Sequence, residues 1–199
     1  NHVFATLAMS RTYRMTRQRM LRGPAQNGID FITRAQNPYQ GWRYGVRPGD
    51  NDMSITTWMV MTLKCGQAAG LHVEDRSLEW ARALCDKMTN PDTGRTGYTR
   101  RGEGVARSPD QARRFPENQS ESMTAAAMML RMCTNEHPKT SALIQAGARI
   151  CDARRPTWRP QSGSVDMYYW YYGTLAMFEV GGDGTQRDAL PPHVEVPQH

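Results

Sequence analysis

The sequence has no uninterrupted apolar run approaching the ~18 residues that let a helix cross a bilayer with its backbone paired internally, so a membrane-spanning helix is excluded. Cysteine is sparse. Cys65, Cys85, Cys133 and Cys151 stand at spacings of 20, 48 and 18, which contain no CxxC pair and read as four plain buried thiols. The five histidines are scattered, and neither His2 nor His72 has a His or Cys at ligand spacing, so ordinary roles are favoured and no metal or other cofactor is expected. The chain opens on Asn1-His2-Val3-Phe4 without an initiator Met, a basic leader or a small-residue cleavage site, as if it started inside a helix. The compartment therefore stays open, the cytoplasm being preferred for a soluble chain.

What is present is a chain of 199 residues, enough for one sizeable domain. Hydrophobic residues make up 39% and charged residues 22%, which permits a packed core and excludes collagen-like and fully disordered classes. The net charge of +6 favours contact with phosphates, acidic lipids or acidic polymers without naming one.

Helical periodicity dominates. Residues 2 to 14 predict a helix whose buried stripe carries Val3, Phe4, Leu7, Ala8 and Met9, and residues 24 to 36 predict a second with Pro24 in its first turn and a stop at Asn37-Pro38. Residues 52 to 69 are apolar nearly all round through Ile55, Trp58, Met59, Val60, Met61 and Leu63, so they predict an interior helix that ends at Gly70. Residues 75 to 89 carry one stripe and predict an outer helix. The alternation recurs: 119 to 134 interior, 139 to 154 outer, 165 to 180 interior. The fold class expected is all-α, with helix hairpins stacked side by side and insertions confined to loops. Residues 90 to 118 form a long loop holding Arg95, Arg100, Arg101, Arg107, Arg113 and Arg114 among Gly and Pro, and residues 183 to 199 predict a poorly ordered tail.

Three segments fit one repeat pattern: Phe31-Ile32-Thr33-Arg34-Ala35-Gln36, then Gly41-Trp42-Arg43-Tyr44-Gly45, then the Asp-led helix Asp52-Met53-Ser54-Ile55-Thr56-Thr57-Trp58. The aromatic helix Ser164-Val165-Asp166-Met167-Tyr168-Tyr169-Trp170-Tyr171-Tyr172-Gly173 fits with them. Together they resemble the terpenoid cyclase and protein prenyltransferase repeat family, over roughly residues 1 to 182. The resemblance implies an α/α toroid of alternating inner and outer helices, here a partial ring such as the C-terminal part of a longer one. In the motif, the Gln amide can satisfy orphan carbonyls at an outer helix end while the Gly-Trp turn brings backbone and ring together.

The chemistry of that family does not follow the pattern. Squalene-type cyclases protonate an alkene with the middle carboxylate of Asp-x-Asp-Asp-Thr-Ala, kept protonated by burial and neighbouring charge. Here Asp50-Asn51-Asp52-Met53-Ser54 places Asn51 at that position, or Met53 at the last acid if the register is shifted. Protein prenyltransferases hold zinc with Asp, Cys and His, but Tyr169 stands where the aromatic helix would need the His, and no Asp-x-Cys occurs. Lys64-Cys65-Gly66-Gln67 is not a thioester motif. The reading is therefore not an enzyme by these residues.

Asp52, Glu121 and Asp166 each start an inner helix, where a carboxylate caps free N–H groups; a converging acidic ring at one mouth is the rival reading. Tyr168, Tyr169, Trp170 and Tyr172 supply rings for packing or for ligand contact, and thirteen Met residues give an adaptable interior. The Arg-rich loop is solvated surface or a grip on diphosphate, nucleic acid or an acidic polymer; it lacks the aromatic interleaving of a single-strand binder. Asn118-Gln119-Ser120 is a sequon that arises easily by chance. The function expected is binding of a hydrophobic or isoprenoid ligand, or of a partner protein, in a cavity lined by Trp42, Tyr44, Asp50, Asp52, Trp58, Glu121, Asp166, Tyr168, Tyr169, Trp170 and Tyr172. The alternatives are an isoprenoid cyclase or transferase whose key residues lie outside this chain, and a polyanion-binding surface.

Overall fold

The computed structural model describes residues 2–103, 110, 120–159, 161 and 165–181. Arg107, Arg113, Arg114, Ser164, the sequon residues Asn118 and Gln119, and the tail from 183 onward lie outside the described residues. The described chain is all-helical: α1 (His2–Thr16), α2 (Arg19–Ala35), α3 (Met53–Ala68), α4 (Asp75–Met88), α5 (Ser122–Cys133), α6 (Ala142–Asp152) and α7 (Met167–Gly181). Pairing between strands among these residues is confined to one isolated bridge, Thr89 to Thr96.

Helices α1, α3, α5 and α7 pack side by side in that order. On one side of this row, α2 lies against α1 and α3, α4 against α3 and α5, and α6 against α5 and α7. The two rows follow from the hydrophobic pattern. A helix with one apolar stripe can cover a neighbour only with that stripe, and α2, α4 and α6 bury Ile29 and Ile32, Leu78 and Leu84, and Ile144 and Cys151 respectively. A helix that is apolar all round needs neighbours on every side; α5 has them, and Ser122 to Arg131 are all buried. One core cluster spans α1 to α5, a second spans α5 to α7, and Trp58 and Tyr168 pack against both.

The join between α2 and α3 shows how the hairpins are held. Gln36 Nε2 donates to the carbonyls of Gln40, 2.8 Å, and Ser77, 2.9 Å. The amide therefore serves the turn and the first turn of α4, tying neighbouring helices of the second row. The orphan carbonyl at the end of α2 is taken instead by the Trp42 indole, whose Nε1 donates to Ile32 O at 2.8 Å with the ring fully buried. Asn37 closes the loop by donating to Asp50 O and accepting from Gly49 N. Gly41 has no alternative here, because a Cβ would run into Thr56 and Leu84.

Two expectations need correction. Pro24 sits inside α2, which begins at Arg19. Its missing N–H leaves the carbonyl of Met20 without a helical donor, and the loss is tolerated because this end of α2 faces water, with Met20 77% exposed. In α1 the buried stripe is Val3, Thr6 and Ser10, while Phe4 is 49% exposed. The cause is Gly28 of α2, a Cβ on which would lie 2.5 Å from Thr6 Oγ1. The close approach of α2 selects the small polar side of α1 as the contact face, and the Phe4 side is turned outward.

Candidate functional site

The three acids that begin helices do different work. Asp52 caps α3: Oδ1 accepts from Ile55 N at 2.8 Å and from Ser54 Oγ at 2.7 Å, and Oδ2 lies 4.0 Å from Arg43 Nε. Asp166 caps α7 through Tyr169 N at 3.2 Å and accepts from Ser120 Oγ at 2.6 Å. Glu121 departs from the capping reading, since its side chain accepts no backbone N–H at the start of α5. Its carboxylate binds Arg95 and Arg154, both at 3.2 Å, and Thr124 Oγ1. Burial, opposed by these two arginines, raises its pKa. Each acid is thus engaged by its own local partners.

Around Asp52, Arg43 pairs with Asp50 at 2.6 Å on the surface. Tyr98 stands beside Asp52 and Ser54, and burial followed by the Asp52 charge pushes its hydroxyl up to about 12. It is a neutral hydrogen-bond donor at physiological pH. Tyr44 is exposed on the adjoining loop.

The aromatic residues separate by helix face. Successive helical residues are turned by roughly 100°, so positions two apart point in nearly opposite directions. Thr6 meets α2, Thr56 bonds Trp42 N, and Tyr169 donates to Arg154 O and Cys151 O at the end of α6. Phe4, Trp58 and Tyr171, each two positions away from one of these, therefore project from the far face of the first row. There they meet: Phe4 and Trp58 have ring centroids 4.7 Å apart, and Trp58 stacks on Tyr171 at 5.4 Å. Trp58 reaches α7 across α5, where Thr124 and Met128 meet Gly147 of α6 and the buried Ala126, two positions from each, is turned to the far face. Tyr172 fills the angle between Trp58 and Tyr168, with burial holding its hydroxyl well above the usual range. The result is an apolar ledge on α1, α3 and α7, extended along α7 by Met167 and Phe178, which are 58% and 64% exposed.

Of the candidate residues, Trp58 stands on the ledge and Tyr168 and Tyr172 lie beneath or beside it. Trp42, Tyr169 and Tyr172 are too fully buried to present a surface to a ligand as they stand, and the first two use their polar atoms inside the fold. Trp170 points elsewhere, with its ring against Trp158 at 5.8 Å. Tyr44, Asp50 and Asp52 belong to the loop and cap at the start of α3. Phe4, Tyr171, Met167 and Phe178 were not singled out by the sequence as site residues. The signal available was the repeat of Met167, Tyr171, Thr174 and Phe178 on one side of α7, all of them exposed.

Elsewhere, His2 Nε2 lies 3.3 Å from Gly28 O and the ring packs on Phe31, while His72 exchanges backbone hydrogen bonds with the Gln26 side chain. A cavity of ≈ 270 Å³ lined by Asp30, Thr33, Arg34, His72 and Glu74 opens between α2 and the α3 to α4 connection. Among the described residues no three His, Cys, Asp or Glu side chains gather as they would to hold a metal ion. Of the arginine loop, Arg95 is held by Glu121 and Arg101 Nε donates to Lys87 O. Compared with protein-family models, with curated proteins and with solved structures, the chain finds no match in any of the three.

Proposed function

We propose that the two helical rows are a partial α/α toroid of the terpenoid cyclase and prenyltransferase repeat type, acting as a binding domain for an apolar ligand. The ligand of this reading is a hydrophobic or isoprenoid chain laid across Phe4, Trp58 and Tyr171. One observation carries it: three rings from three helices meet on the face turned away from α2, α4 and α6, and two of them stay substantially exposed, Phe4 at 49% and Tyr171 at 43%. Exposed rings in contact form a continuous apolar surface, which gains free energy when an apolar molecule removes it from water. Asp52 supports a binding role over acid catalysis, because one of its oxygens is committed to the α3 cap. Arg95 and Arg154 are paired with Glu121, which weighs against the polyanion-binding alternative.

The test is a calorimetric titration with farnesol, an uncharged isoprenoid, on the chain and on Tyr171→Ala and Trp158→Ala variants. Saturable binding that Tyr171→Ala weakens strongly and Trp158→Ala leaves intact supports the ledge. Absence of saturable binding, or equal affinity in all three proteins, refutes it.

A further inference from the structure

The exposed stripes that form the ledge carry the polar Thr174 on α7 and one cation on α1. Arg11 lies seven residues after Phe4, two helical turns along the same stripe of α1, roughly 10 Å away. Phe4, Ala8, Arg11 and Met15 are all exposed on α1, and Tyr171 and Phe178 are exposed on α7. Burial raises the Tyr171 hydroxyl of α7 and the Cys65 thiol of α3, and the Arg11 charge opposes both shifts, at Cys65 together with Arg14. Among the described residues no carboxylate pairs with Arg11. Among the described residues the far face therefore holds a line of apolar rings with a cation two turns along it and no carboxylate paired to that cation.

We infer that the ledge takes an amphiphile with an anionic head, a free long-chain carboxylate whose chain lies over Trp58 and Tyr171 and whose head group pairs with Arg11. This rests on the ledge being a ligand surface and adds the charge and position of the head. Charge complementarity decides among amphiphiles. An alcohol leaves the guanidinium without a counter-charge, and an ammonium meets repulsion, whereas a carboxylate accepts two parallel N–H bonds in the planar geometry arginine presents. No bond is made or broken; the event is reversible binding.

The experiment compares decanoate, decanol and decyltrimethylammonium below their micellar concentrations, by calorimetry, on the chain and on Arg11→Gln and Tyr171→Ala variants. Gln is a good helix former on an exposed face, so Arg11→Gln removes the charge without unfolding α1. Decanoate is expected to bind about fivefold tighter than decanol, the scale of one solvent-exposed ion pair. Arg11→Gln should abolish that preference with decanol affinity unchanged, and added salt should reduce it likewise. Tyr171→Ala should weaken all the decyl compounds. Equal binding of decanoate and decanol, both lost in Tyr171→Ala, overturns the anionic head and leaves the ledge standing. Failure of every decyl compound to bind overturns both readings. Binding to phosphatidylglycerol vesicles without binding to decanoate replaces the free carboxylate by a membrane surface and overturns the inference.

Discussion

Replacing Asp52 by alanine removes two hydrogen bonds at the start of α3, and the cost can be worked from its surroundings. Oδ1 is the acceptor for Ile55 N and Ser54 Oγ, and the side chain is shielded from water, so solvent does not replace what is lost. A lost N-cap costs about 1 kcal/mol, and the second hydrogen bond adds about 0.5–1.5 kcal/mol. A total near 2 kcal/mol lowers the melting temperature of a domain of this size by about 4–8 °C. Asp52→Asn isolates the cause. Asparagine caps as well as aspartate but carries no charge toward Arg43, so its stability should fall within about 0.5 kcal/mol of the parent. Urea unfolding followed by far-UV circular dichroism, with a parallel thermal melt, measures both. An alanine variant as stable as the parent refutes the capping role. An asparagine variant as unstable as alanine assigns the stabilisation to the charge facing Arg43 instead.

Arg131 is almost wholly buried and joins Asp86 at 2.8 Å, Glu136 at 3.1 Å and Thr89 at 3.2 Å; because Arg82 also pairs with both carboxylates, Arg131→Ala should cost about 1–3 kcal/mol in urea unfolding, and Arg131→Met, which refills the space, less. Gly28→Ala should destabilise by about 1–3 kcal/mol because α1 and α2 are in contact there, and adding Thr6→Ala should recover part of the loss in the double variant. Folding raises the Glu121 pKa, mainly through burial, so the native chain keeps a proton that the unfolded chain releases; this contribution to stability falls as pH climbs through the carboxylate range, and Glu121→Gln should flatten that part of the stability curve against pH. Burial pushes the thiols of Cys85 and Cys133 up to about 11 and that of Cys151 to about 12, and raises Cys65. A thiol reagent at neutral pH should therefore react slowly with the native chain and with all four cysteines after unfolding.

The sequence by itself determined the elements and their order. Gly70, Asn37-Pro38 and the caps Asp52 and Asp166 stop and start helices by local stereochemistry, and the contrast between one-stripe and all-round apolar helices separates the two rows, because these depend only on neighbours along the chain. Tertiary structure decided which way each face turned. Periodicity shows that Phe4 and Ala8 share a side of α1, but the approach of Gly28 to Thr6 sets that side outward. Glu121 stands where a cap belongs, yet Arg95 and Arg154, distant in sequence, take its carboxylate. The ledge itself exists because Trp58 of α3 reaches Tyr171 of α7 across α5, a meeting of residues 113 positions apart that no local pattern encodes. A helix repeats its side chains at a fixed angle, but the zero of that angle is set by whatever packs against it.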